Sequence, residues 1–239
     1  MRLQVFLSHN GVCSRRDAMD IIQAARVKVN GQLVTEPSFQ VEGSEEITVD
    51  GQAIGAKAYT YVLLHKPEGY TTTKDDPYAA KTVMELLPNH LRHLSPVGRL
   101  DRDTEGLLLF TNDGQWAQHL THPKFHLNKS YLARIQGKLK DADKRKLEAG
   151  IEIMVEEKPY RTAPCTIEDV RYNEQTQETQ LTITIHEGKK RQIRTMFYAL
   201  KHKVVYLKRI AIGTLKIGDL KLGQWRELTT IEIKSLGRV

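Results

Sequence analysis

Two dipeptides constrain the start of this chain more than any other feature. Asn30-Gly31 lies between Val27-Lys28-Val29 and Gln32-Leu33-Val34, and Asp50-Gly51 between Ile47-Thr48-Val49 and Gln52-Ala53-Ile54. Asn-Gly and Asp-Gly reach positive φ at little cost, so both segments read as tight β-hairpins. Ahead of them, Leu3, Phe6 and Leu7 are spaced for one face of a short helix that stops at Gly11. Ser14 heads a second helix, with Asp17 three residues on as its capping-box partner. Ala18, Ile21, Ile22 and Ala25 form the apolar stripe of that helix. Residues 1–57 thus read as a small α/β module, followed by a linker of small residues, Gly55-Ala56-Lys57-Ala58.

From Tyr59 onward the pattern changes to strands with intervening helices. Tyr59–His65 reads as a strand ending at a Lys66-Pro67-Glu68-Gly69 turn, and Leu107–Phe110 as a short buried strand. Tyr131–Ile135 is another strand, and Leu181, Ile183 and Ile185 alternate with threonines as a half-buried one. Val83, Leu86 and Leu87 suggest a short helix, and Asp141–Ala149 a charged surface helix. Ile193, Met196, Phe197 and Leu200 keep helical spacing. No repeat or low-complexity segment interrupts residues 58–239, which read as one α+β domain with a mostly antiparallel sheet.

Charge and composition narrow the function classes. With 40% hydrophobic and 27% charged residues, the chain has the make-up of a folded soluble protein. No apolar run approaches the ~20 residues needed to cross a bilayer. The N-terminal apolar stretch breaks at Ser8-His9-Asn10, too soon for a signal peptide. Cys13 and Cys165 fit neither a disulfide framework nor a metal spacing, which points to a reducing cytoplasm. Residues 1–57 carry a net charge of −1 and residues 58–239 a net of +8. Between His186 and Arg226 there are eleven basic and two acidic residues, a density that attracts polyanions or simply makes a solvated face.

One loop concentrates charge between glycines: Gly98-Arg99-Leu100-Asp101-Arg102-Asp103-Thr104-Glu105-Gly106. Charged residues are rarely buried unpaired, and loops on rigid scaffolds carry much of catalysis. On composition alone the same residues also suit a solvated polar turn. His119, His122 and His126 have a tempting metal spacing, but Pro123 interrupts any helix through them, and no carboxylate or cysteine completes a set. No metal site is expected.

Five ordered motifs bear on the choice. "PVGRLDRDTEGLLLFTNDG" resembles the signature of the RsuA/RluB family of ribosomal-RNA pseudouridine synthases. "HKPEGY", "NKSYLARIQG", "EGKKRQIRTMF" and "LKRIAIGTLKIGDLKLGQWREL" match that family in the same order. The first module, through "SRRDA" and "RVKVNGQLV", resembles the RNA-binding module named after ribosomal protein S-four. The resemblance implies an α+β pseudouridine-synthase fold, a mostly antiparallel mixed sheet with flanking helices, behind a small N-terminal α/β RNA-binding domain. It also implies ribosomal RNA as partner, free or in a pre-ribosomal particle. A monomer with a tethered RNA-binding module is adequate for the task.

The implied chemistry breaks the uracil–sugar bond, turns the base and rejoins it through carbon 5. That needs no redox step and no group donor, so no cofactor is expected, and one carboxylate can start it. By the family motif that carboxylate is Asp101. Burial would raise its pKa, so an opposite charge is expected beside it, and Arg194 in "RQIR" is the candidate. Tyr131 is implied to lie against the target base. Arg99 is placed to fill the space a flipped uridine vacates. Lys189, Lys190 and Arg191 at a helix start, and Arg15, Arg16 and Lys28 in the first module, are the expected RNA contacts. Large-subunit RNA is favoured slightly over small-subunit RNA.

Two readings compete. Asp101-Arg102-Asp103-Thr104 fits the Asp-x-Asp-x-Thr motif of magnesium-dependent phosphatases, but that motif should follow a continuous apolar parallel strand, and Ser95, Pro96 and Gly98 interrupt the approach. A non-catalytic RNA-binding or ribosome-assembly factor would share the module and the basic surface, and only the Asp101 loop speaks against it.

Overall fold

A computed structural model of the chain describes residues 1–55, 58–74, 76 and 78–237. The central part of the linker, Ala56 and Lys57, and Asp75 and Pro77 of the Lys74–Tyr78 segment lie outside the described residues.

Both hairpin turns form as their dipeptides dictate. Asn30 and Gly31 take φ of 49° and 78°, and Asp50 and Gly51 take 51° and 81°, the positive pair that a type I′ turn requires. They join β1 (Val27–Val29) to β2 (Gln32–Val34) and β3 (Ile47–Val49) to β4 (Gln52–Ala53), in one sheet of order β2-β1-β3-β4. Helices α1 (Leu3–His9) and α2 (Arg15–Gln23) cover it, closing a core of Leu3, Phe6, Leu7, Ala18, Ile22, Val27 and Ile47. Ser14 and Asp17 make the reciprocal capping box. Ala25 departs from expectation: it lies past the helix end, exposed, at φ 58°. The amides of Ala25 and Arg26 bond back to Ile22 and Ile21, the closing geometry of a Schellman motif, so the stripe ends one turn earlier.

The second unit is built on a nine-stranded sheet. Its strands are β5 (Tyr61–Lys66), β6 (Ser95–Val97), β7 (Glu105–Thr111), β8 (Lys129–Gln136), β11 (Thr166–Asn173), β12 (Glu178–Ile185), β13 (Val204–Ile212), β14 (Leu215–Lys216) and β15 (Trp225–Glu227). A separate hairpin pairs β9 (Glu152–Val155) with β10 (Lys158–Arg161). The main path runs β11-β12-β8-β13-β7-β5-β15, with β6 added to β7 and β14 to β13. All pairs are antiparallel except β13 with β7, which gives the mostly antiparallel mixed sheet that was expected.

Helices cover both faces. On one, α4 (Asp141–Glu148) and α5 (Gln192–Ala199) supply Leu147, Ile193, Met196 and Phe197 to a core with Leu108, Phe110, Tyr131 and Ala133. On the other, α3 (Gly114–Thr121) and α6 (Thr230–Ser235) pack with Leu107, Leu109 and Ile212. Strand β5 is buried at every residue and β7 at all but its first, because both faces are covered; this is why they read as continuous apolar runs rather than alternations. Helix α3 ends at Thr121, before Pro123, so His119, His122 and His126 share no helix.

The two units touch at the turn after β7. His9 Nδ1 lies 2.9 Å from the carbonyl oxygen of Asn112. The Asn112 side chain in turn donates to the carbonyls of His9 and Ala58 and accepts from the amide of Thr60. Arg15 lies across Gly114 so closely that a Cβ there would meet its guanidinium.

Candidate active site

The charged loop spans the gap between β6 and β7, whose antiparallel pairing of Val97 with Leu109 fixes its two ends. The amide of Thr104 donates to the carbonyl of Asp101 at 3.0 Å, folding residues 101–104 into a turn. Its leading edge is tied to the segment after β5. Thr72 Oγ1 donates to the carbonyl of Leu100 at 2.8 Å, and the Gly69 amide donates to the carbonyl of Arg102 at 2.8 Å.

The main clamp is Lys66, the last residue of β5, whose side chain is wholly buried. Its ammonium donates to the carbonyls of Asp101 at 3.1 Å, Thr104 at 2.9 Å and Pro67 at 3.0 Å, with Arg102 at 3.5 Å. Burial pulls the Lys66 pKa down to about 8, although Glu68, Asp103, Asp101 and Glu105 act to hold the proton. A Lys66-Pro67 step at a strand end reads as a turn, and nothing in the spacing announces an ammonium threaded through a loop. That role depends on β5 and β7 being neighbours, 35 residues apart in sequence at the Asp101 contact.

Asp101 itself is half-buried, and among the described residues its carboxylate has no hydrogen bond or ion pair. The expectation that Arg194 pairs with it is corrected. Arg194 does reach the loop across 91 residues, but it holds Asp103: Nη2 donates to the Asp103 carbonyl at 2.5 Å and Nε lies 3.3 Å from its carboxylate. Nη1 donates to the carbonyl of Val204, which fixes the guanidinium between α5 and β13 and leaves its other edge for the Asp103 side of the turn. Arg191 completes the grip as a bidentate fork, both nitrogens 2.9 Å from the Asp103 carboxylate. Asp103 is held below the usual carboxylate range by these two arginines, against a burial that would raise it.

Tyr131 sits on β8, in register with Ile183 of β12 and Arg209 of β13. It is buried, in the same apolar cluster as Leu100 next to Asp101, and no hydrogen bond joins it to Asp101. Arg99 is exposed and, among the described residues, has no ion pair, so its guanidinium is available to a ligand. Lys189 lies over the Tyr160 ring at 4.7 Å, while Lys190, Arg16 and Lys28 face solvent. Arg15 is exposed like Arg16, and its guanidinium lies against Gly114, between the two units.

The roles of three groups at or near the loop escaped the sequence reading. Glu105 accepts from His65 Nε2 at 2.8 Å and pairs with Lys208 at 3.2 Å, tying β5, β7 and β13 together below the loop. Those partners keep its carboxyl below the ordinary value despite burial. Arg209 is buried; its Nε donates to the Leu107 carbonyl, and its Nη2 has no acceptor among the described residues. Gly106 lies so close to β13 that a Cβ would sit 2.2 Å from the Arg209 carbonyl oxygen. The loop leads into β7 instead of following a parallel strand, so its Asp-x-Asp-x-Thr string lacks the setting of a phosphatase nucleophile.

The family described as RNA pseudouridylate synthase matches residues 60–199, and the S4 domain matches residues 1–47. The chain is 41% identical to "Ribosomal large subunit pseudouridine synthase B" of Bacillus subtilis (strain 168), over 98% of this chain and 95% of that one. It is 32% identical to "Ribosomal small subunit pseudouridine synthase A" of Yersinia pestis, over 99% and 98% respectively. A solved structure titled "Crystal structure of pseudouridylate synthase" superposes with a TM-score of 0.69 at 33% identity, covering 99% of both chains. A clamped loop, a half-buried carboxylate with no hydrogen bond or ion pair among the described residues, the fold and these matches agree: the chain belongs to the RNA pseudouridylate synthase family, with an S4 domain at its start.

Proposed function

We propose that this chain isomerises a uridine of ribosomal RNA to pseudouridine, with Asp101 as the acting carboxylate and no cofactor. The observation that carries the reading is the contrast within one turn. Asp103 is gripped by two arginines and the carbonyl of Asp101 by Lys66, while the Asp101 carboxylate, in the field of Lys66 and Arg191, makes no hydrogen bond or ion pair among the described residues. A carboxylate held by its backbone and left open at its oxygens is positioned to attack or to take a proton.

In this reading Tyr131 lies against the uracil and can relay the carbon-5 proton, and Arg99 fills the space left by the flipped base. Arg194 becomes a positioning residue that acts through Asp103. Lys189, Lys190 and Arg191, with Arg15, Arg16 and Lys28 of residues 1–57, contact RNA phosphates, and residues 58–239 carry the chemistry. Large-subunit RNA is favoured because the large-subunit relative is 41% identical and the small-subunit relative 32%. The protein acts as a monomer in the cytoplasm.

The test is release of tritium from carbon-5-labelled uridine in large- and small-subunit ribosomal RNA. Wild type releases it from one of the two, and Asp101→Asn from neither while still binding the RNA. Equal release by both proteins, or none by wild type, overturns the proposal.

A further inference from the structure

A cleft of ≈630 Å³ opens beside α5, bounded by the start of β13 and by Glu68 and Asp103. Arg191, just ahead of α5, and Arg194, Thr195 and Tyr198 on the helix line it, so one flank of α5 faces it. At its inner end Arg191 and Arg194 grip Asp103, two residues from Asp101. At its outer end stands Tyr198, 76% exposed and outside every buried cluster. One helical turn, about 6 Å, separates Arg194 from Tyr198. On the opposite wall Lys203 is exposed and has no ion pair among the described residues.

An aromatic ring left in water does nothing for the fold. Beside the lysine and two arginines of the cleft and next to a clamped loop, it matches the way single-stranded nucleic acid is held without sequence readout: bases on aromatic faces, phosphates on lysine and arginine. The acids are placed consistently. Asp103 is neutralised by its two arginines, so Glu68 is the acid that repels a phosphate near the loop, leaving Lys203 and the N–H groups of Arg191 not spent on Asp103 for the backbone. In a duplex both ring faces of a base are stacked on its neighbours, so an open aromatic face suits an unpaired residue.

We propose that this cleft is a subsite for single-stranded RNA flanking the target uridine, with a base stacked on Tyr198 and its phosphate held by Lys203 and Arg191. The inference rests on the RNA-modifying reading above and adds where the strand beside the target runs.

The probe is a fluorescein-labelled single-stranded decauridylate, with a duplex RNA of equal length as control, followed by anisotropy. Tyr198→Ala weakens decauridylate binding about ten-fold, Tyr198→Phe binds like wild type, and neither changes duplex binding. Lys203→Gln weakens binding about three-fold and flattens its salt dependence. A 4-thiouridine probe cross-links to Tyr198, mapped by mass spectrometry. Equal affinities for wild type and Tyr198→Ala, no decauridylate binding by wild type, or an equal loss in Tyr198→Phe overturns the subsite. The two readings fail separately. Tyr198-dependent binding with no tritium release by wild type sinks the enzyme reading alone. Tritium release with binding indifferent to Tyr198 sinks the subsite alone.

Discussion

The ammonium of Lys66, sealed from solvent at the end of β5, donates to the carbonyl oxygen of Asp101 at 3.1 Å. It holds the backbone of the residue proposed to act while leaving the carboxylate open. A neutral amine has two N–H groups where the ammonium has three, so losing the proton removes a donor from the clamp.

Activity should therefore fall as pH rises through about 8, the value to which burial lowers this lysine. Stability runs the other way. A cation whose folded pKa lies below its unfolded one opposes folding at low pH, and that opposition fades between about 8 and the ordinary lysine value. The alkaline loss of turnover should come without a drop in melting temperature. A rate flat from pH 7 to beyond 9 would contradict this. Lys66→Met should lower turnover by at least ~100-fold and cost ~1–3 kcal/mol for the carbonyls left bare.

The two arginines on Asp103 should differ in weight. The Arg191–Asp103 pair is about half exposed on both sides, so Arg191→Ala costs under ~1 kcal/mol. The Arg194 side chain is 13% exposed and serves the carbonyls of both Asp103 and Val204, so Arg194→Ala costs ~2–4 kcal/mol. Urea unfolding measures both, and equal costs would refute the assignment of Arg194 as the structural tie.

Gly106 has φ of 116°, and a Cβ there would press within 2.2 Å of the Arg209 carbonyl oxygen. Backbone cannot yield as a flexible side chain would. Gly106→Ala should cost at least ~3 kcal/mol and shift β7 against β13. Retention of the wild-type melting temperature would show that the two strands approach less closely.

Arg226 holds the Glu232 carboxyl down to about 2, with help from the Thr229 amide that starts α6. A carboxyl whose folded pKa is depressed adds stability above its ordinary value, and that stability is lost as pH falls towards about 2. Glu232→Gln should melt below wild type at pH 7, with the gap closing towards pH 2. A gap unchanged by acid would assign the effect to packing.

Local chemistry determined much of this protein in advance. Asn30-Gly31 and Asp50-Gly51 made their hairpins, Ser14 and Asp17 their capping box, and the Ile193–Phe197 stripe its helix, because turns, caps and amphipathic faces rest on neighbours a few residues away. The motif around Asp101 likewise marked the loop, since its glycines and charges stand together in the chain. Which side chains serve that loop was decided only by the tertiary structure. Arg194 was expected on Asp101 and is found on Asp103, because Val204 and the turn closed by Thr104 fix where its guanidinium points. Lys66, Glu105 and Tyr198 gained their places from strand order and from the flank that α5 leaves open. A sequence gives residue types and short spacings. The direction of a charged side chain is set by the sheet neighbours that confine it.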